Sequence, residues 1–187
     1  ANKAATVYAS YLESDDEQKR SLLLEVARRC EEQQKKVPDD ANGWYFHAFA
    51  LGRYSQSISV VKALAEGLGG KIKHSLMQAL QLEPGHADAR IALGAYHAEV
   101  IDKVGALVGG ITYGVKKETG KELLEDALDR NPDSAITRIE YANALVLMYG
   151  KAKLKDAERL YREAAVCTPM DAMERLDVEA AKAELAD

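Results

Sequence analysis

Apolar residues recur along this chain every three or four positions, the spacing that lines one side of an α-helix. Leu22, Leu23, Val26 and Cys30 form one such row, and Ala89, Leu93, Tyr96 and Val100 form another. Further on, Ile136, Ile139, Ala142, Leu145 and Val146 precede Leu154, Ala157, Leu160, Tyr161 and Ala164, the cleanest row of all. Strict apolar–polar alternation, the mark of a half-buried strand, is nearly absent. Its best instance, Ile58-Ser59-Val60-Val61, lies inside a helical pattern. The spacing predicts an all-α protein of about seven to nine helices.

The punctuation sets the expected boundaries. A first helix is predicted over residues 3–12, with Val7, Tyr8, Tyr11 and Leu12 as its apolar face. Ser14 and Glu17 read as a capping box opening a second helix that runs to about Lys36, where Pro38, Asp39 and Asp40 end it. A third helix is predicted over residues 41–55, carrying Trp44, Tyr45, Ala48, Phe49 and Gly52. The pattern continues through Ile58, Val61, Leu64 and Ala65. Gly67, Gly69 and Gly70 interrupt it, and residues 71–82 resume it up to Pro84-Gly85. A new unit starts near His86, and Gly105, Gly109, Gly110 and Gly114 break the chain before residues 122–129 and Asn131-Pro132. Residues 134–149 give another helix, turned at Gly150. Thr168 as cap, Pro169 at the first helical position and Asp171 near the positive end open a last helix to about Leu185.

Three segments share one grammar. Leu76, Ala79 and Pro84 have the same spacing as Leu124, Ala127 and Pro132, and as Tyr161, Ala164 and Pro169. The prolines fall 48 and 37 residues apart, and each is followed by a polar start and another amphipathic stretch. The approximate units are residues 1–38, 39–84, 85–132 and 133–169, with a terminal helix over 170–187, together one repeat domain. An isolated amphipathic helix is marginal in water, so each pair must bury its stripe against the next.

This grammar resembles the tetratricopeptide (TPR) repeat, whose second helix carries A-x3-[aromatic]-x2-A-x4-P. Ala157, Tyr161, Ala164 and Pro169 match it. Trp44 and Ala48, Leu93-Gly94, and Tyr141, Ala142 and Leu145 match first-helix positions. The resemblance implies a right-handed stack of antiparallel helix pairs, with small residues where helices close in. A regular repeat has about 34 residues. The first two units therefore carry roughly 12 to 14 extra, which hold the glycine-rich stretches, and Ile72 and Gly120 stand where a regular repeat has alanine. The long-insert pattern is similar to the helical-repeat component of tripartite periplasmic (TRAP) transporters and to the eukaryotic regulators of microtubule dynamics. Both likenesses imply a protein- or ligand-binding scaffold, and the first implies an exported one.

Composition narrows the function classes. Of 187 residues, 47% are hydrophobic and 29% charged, enough for a packed core and a solvated surface. The formal charge of −5 argues against nucleic acid, whose phosphates need a basic face. No stretch reaches the 18 or so apolar residues of a membrane span; the uncharged run over residues 104–115 is too short. Cys30 and Cys167 make no CxxC, and buried free thiols are the expectation. Ala1 in place of methionine is compatible with trimming or with removal of an export signal. Periplasmic and cytoplasmic locations both stay open.

Catalytic and cofactor motifs are not visible. The glycines of residues 105–110 lack both GxxxxGK[ST] and a strand-borne GxGxxG, so they read as bends or close helix crossings. His47, His74, His86 and His97 form no HExxH, and the acids of residues 15–17 and 39–40 are explained as helix starts. A Ser-His-acid triad would have to be assembled from distant residues. No metal or cofactor is expected, nor an enzyme. Nine tyrosines against two phenylalanines and one tryptophan suit half-buried surfaces that hydrogen-bond at one end. The reading is a non-enzymatic scaffold that holds a protein or peptide in a helical groove through Tyr45, Arg53, Tyr54, Arg90, His97, Arg138 and Tyr141. The alternative is a small-molecule or solute-binding accessory protein of a transporter, with the glycine-rich insertions opening its pocket.

Overall fold

A computed structural model describes residues 2–186, and among them every regular element is helical. Eleven α-helical segments follow one another: α1 (Asn2–Val7), α2 (Asp16–Lys36), α3 (Ala41–Gln56), α4 (Val60–Ala65), α5 (Leu68–Leu82), α6 (Ala87–Val104), α7 (Ala106–Tyr113), α8 (Lys117–Arg130), α9 (Ala135–Tyr149), α10 (Leu154–Ala165) and α11 (Ala172–Glu184). The count exceeds the expected seven to nine because both insertions fold into short helices of their own. The chain divides into two compact units at Ala89–Arg90, inside the first turn of α6.

In the first unit, α3 packs between α2 and α5. Leu23, Val26, Ala27 and Cys30 of α2 are buried, as are Ala48 and Leu51 of α3 and Leu76 and Ala79 of α5. Gln34 donates to the Gly43 carbonyl at 3.2 Å, tying α2 to α3. Burial pushes the Cys30 thiol up to about 11, so it stays protonated and acts as a small apolar group.

In the second unit, α8, α9, α10 and α11 each pack on the next, and α11 also reaches α9. Gly94 of α6 and Gly120 of α8 allow a close crossing. A Cβ on Gly94 would sit 2.6 Å from Leu124 Cγ, and one on Gly120 would sit 2.9 Å from the His97 Cβ. Gly120, where a regular repeat has alanine, is thus required by its neighbour. Ala135, Ile139, Ala164, Val178 and Ala181 close the far end of this core. Ala79, Ala127 and Ala164, the small residues of the repeated grammar, are at most 1% exposed. Leu160 and Leu124 are equally buried, each contributing roughly 1.5–3 kcal/mol.

Several local expectations need correction. The first helix turns into a π-helical turn at Tyr8–Leu12. Tyr8 and Leu12 are exposed, and Thr6 and Ala9 are buried instead. Asp15, not Ser14, caps α2, its carboxylate accepting from the Gln18 amide at 2.8 Å. Asp171, not Thr168, caps α11, accepting from the Glu174 amide at 2.8 Å. In both places a carboxylate one to three residues further on outcompetes the hydroxyl for the free amides. Helix α5 opens at Leu68, three residues early, taking Gly69 and Gly70 into its first turn. Val61 and Leu64 of α4 do not join the core; they are 77% and 47% exposed.

Candidate functional site

Of the seven sequence-predicted contact residues, Tyr45, Arg53 and Tyr54 lie in the first unit and Arg90, His97, Arg138 and Tyr141 in the second, and most have partners within the fold. Tyr45 is buried, its ring 4.9 Å from those of Phe46 and His86. Tyr54 is buried beneath the Lys62 ammonium. The half-buried Arg53 guanidinium lies 5.3 Å over the Phe49 ring and donates to Gln56. Arg90 pairs with Asp126 at 3.0 Å, tying α6 to α8. His97 is buried, its Nδ1 accepting from the Lys116 amide at 2.9 Å. Arg138 pairs with Glu163 at 3.4 Å, tying α9 to α10. The Tyr141 hydroxyl donates to Glu125 at 2.8 Å; burial, then this hydrogen bond, raises its pKa. Most of these side chains are engaged within the fold, so packing accounts for much of the tyrosine content.

One surface that packing does not account for lies on α7. Its sequence, Ala106-Leu-Val-Gly-Gly-Ile-Thr-Tyr113, holds no charge. Leu107 is 77% exposed, Val108 53% and Ile111 80%. The opposite side is closed, since a Cβ on Gly109 would lie 2.9 Å from Val115 Cγ2 and 3.2 Å from Val100 Cγ1. Gly109 therefore lets the helix sit against α6 and the buried Val115. Gly105 (φ +83°) and Gly114 (φ +67°) bound the helix in backbone conformations that side chains resist. The glycines expected to serve as bends and close crossings do both here. Past Gly114, the His97–Lys116 hydrogen bond fixes the exit into α8.

No known protein family matches this chain, and a comparison with characterised proteins finds no significant relative. Exposed apolar area of this kind, held on a helix with no net charge, favours contact with another apolar surface. In the sequence the glycines of this stretch read as bends or close crossings, which leaves Leu107, Val108 and Ile111 unremarked. The signal that could have found them is the run of uncharged residues confined between two glycines.

One constellation carries catalytic residue types. His47 on α3 places Nδ1 2.8 Å from Ser75 Oγ on α5, while Nε2 faces Glu31 of α2 at 3.4 Å. Ser75 is 1% exposed. The serine is sealed between helices, which leaves no approach for a substrate carbonyl. Among the described residues no group of three or more His, Cys, Asp or Glu side chains could hold a metal ion. Both cysteines are free thiols, Cys30 buried and Cys167 half-buried. No helix of the described residues is long and apolar enough to cross a membrane.

Proposed function

We propose that this chain is a TPR-like, non-enzymatic scaffold that binds a protein partner, and that α7 supplies the apolar centre of that contact. One observation carries the reading: Leu107, Val108 and Ile111 stand out in solvent on a helix whose other side is locked to the fold. The anchoring matters energetically. Side chains held ready on a fixed helix lose little freedom when covered, so more of the roughly 25 cal/mol per Å2 of apolar burial appears as affinity. The partner this surface suits is an apolar helix face or groove, with no charge required opposite α7. Right-handed stacking of the helix pairs belongs to the same proposal, as does any contribution of Arg53 at the half-exposed edge of α3.

Two observations support this over its rivals. A solute-binding accessory protein needs space beside residues 105–114, and there Val100, Val104 and Val115 back directly onto Gly109. An enzyme needs reachable reactive groups, and Ser75 is sealed.

Photo-cross-linking tests the proposal. A photoreactive residue at Leu107 should yield one discrete protein adduct in native extract, and Ile111→Asp should reduce it at least tenfold. The same probe at Glu158, on the charged face of α10, should yield none. Equal labelling from both positions, or an adduct unchanged by Ile111→Asp, would remove α7 from any recognition role.

A further inference from the structure

We propose that Glu31, His47 and Ser75 form an acid-sensitive latch that holds α2, α3 and α5 together at neutral pH and loosens this three-helix unit when His47 takes up a proton. The geometry carries it. One imidazole, 6% exposed, makes polar contacts from α3 to both neighbouring helices at once. Nδ1 lies 2.8 Å from Ser75 Oγ. Nε2 faces the Glu31 carboxylate at 3.4 Å, too poorly aligned for a full hydrogen bond. The neutral ring fits both contacts as the tautomer with hydrogen on Nε2: Ser75 donates to Nδ1, and Nε2–H points at Glu31.

Protonation upsets this arrangement. Both ring nitrogens become donors, so the Ser75 hydroxyl must turn round to accept, and its own hydrogen loses the acceptor it had. The charge is created inside the helix packing. The titratable groups acting on it are Glu31 from α2, which favours the cation, and Lys71 and His74 from α5, which oppose it. Burial is the largest influence and lowers the His47 pKa from its ordinary 6.5. The sign follows. Above pH 6.5 folded and unfolded chains both hold a neutral ring and the unit keeps its full stability. As pH falls below 6.5 the unfolded chain takes up the proton first, so stability declines until the folded-state pKa is passed.

The full chain contains its own reporter, because the sole tryptophan, Trp44, sits on α3 three residues before His47. Its ring contacts His74 edge-on at 5.6 Å, so the emission maximum is read rather than the intensity, which a protonated His74 would quench. Urea unfolding followed this way from pH 7.5 to 5 should show the folding equilibrium of the wild type falling by up to about tenfold per pH unit below 6.5. His47→Gln, which can still accept from Ser75 and donate toward Glu31, should flatten that decline. Glu31→Gln should deepen it, since the cation then loses its one favourable neighbour; this arm stands even if His47→Gln folds poorly. Ring-nitrogen NMR should place the His47 midpoint below 6.5. A midpoint at or above 6.5, or a decline unaltered by both substitutions, would overturn the latch.

Discussion

Helices α7 and α10 obey opposite rules, although apolar residues recur in both. In α10 the apolar positions beyond the exposed Leu154 turn inward: Ala157, Leu160 and Ala164 are buried, and Arg159, Arg162 and Glu158 lie outside. Its outer face is laced by the Arg159–Glu163 and Arg162–Glu158 pairs, worth at most a few tenths of a kcal/mol each on so exposed a surface. In α7 the largest apolar side chains are the most exposed, and glycine is the buried residue. Hydrophobicity in α10 is consumed by folding. In α7 it remains available for contact with another surface.

The sharpest way to break this contrast is to remove an apolar group from the α10 side. Leu160 is 1% exposed, and Leu160→Ala should cost about 3 kcal/mol through lost burial and the cavity left behind. Denaturant unfolding monitored by circular dichroism reads the change. A cost under 1 kcal/mol would mean that the helix stack is not what holds the second unit together.

A smaller effect separates two glycines that look alike in the sequence. Gly94→Ala places a methyl 2.6 Å from Leu124 Cγ and 3.1 Å from the Gly120 carbonyl oxygen. Overpacking of about 1–3 kcal/mol should outweigh the roughly 1 kcal/mol that alanine gains in helix propensity, so the protein loses stability. Gly52→Ala on α3 meets nothing within 4 Å and should gain up to about 1 kcal/mol. Melting temperatures moving in the same direction for both would refute the close crossing.

The same contrast explains what could be read from the sequence and what could not. Buried Ala79, Ala127 and Ala164 were legible because a repeated grammar of large residue, alanine and proline reports packing directly. Gly94 is legible as a close-contact residue by a different route, the resemblance of Leu93-Gly94 to a first-helix position. The sequence points to Ser14 and Thr168 rather than to the true caps, Asp15 and Asp171, because several polar residues in a row compete for the same free amides and spacing alone does not choose among them. The Glu31–His47–Ser75 set was invisible: His47 and Ser75 lie 28 residues apart, and only the pairing of α3 with α5 brings them together. Tyr45, Tyr54, His97 and Tyr141 looked like contact residues because an aromatic ring with a polar end serves an interface and a helix crossing equally well.

The smallest expected effect is the most discriminating. Leu107→Ser together with Ile111→Ser removes two large apolar side chains, which in a core would cost several kcal/mol. Here both are more than three-quarters exposed, with Gly109 rather than either of them facing Val100 and Val115. Unfolding stability should therefore stay within about 0.5 kcal/mol of the wild type, less whatever serine gives up in helix propensity. Partner capture through α7 should nevertheless fall. A large stability loss would show that these side chains are covered within the folded chain, making α7 one more packed helix. Unchanged stability with lost binding would place its apolar residues outside the requirements of folding, since selection for a soluble chain alone gives no reason to keep them bare.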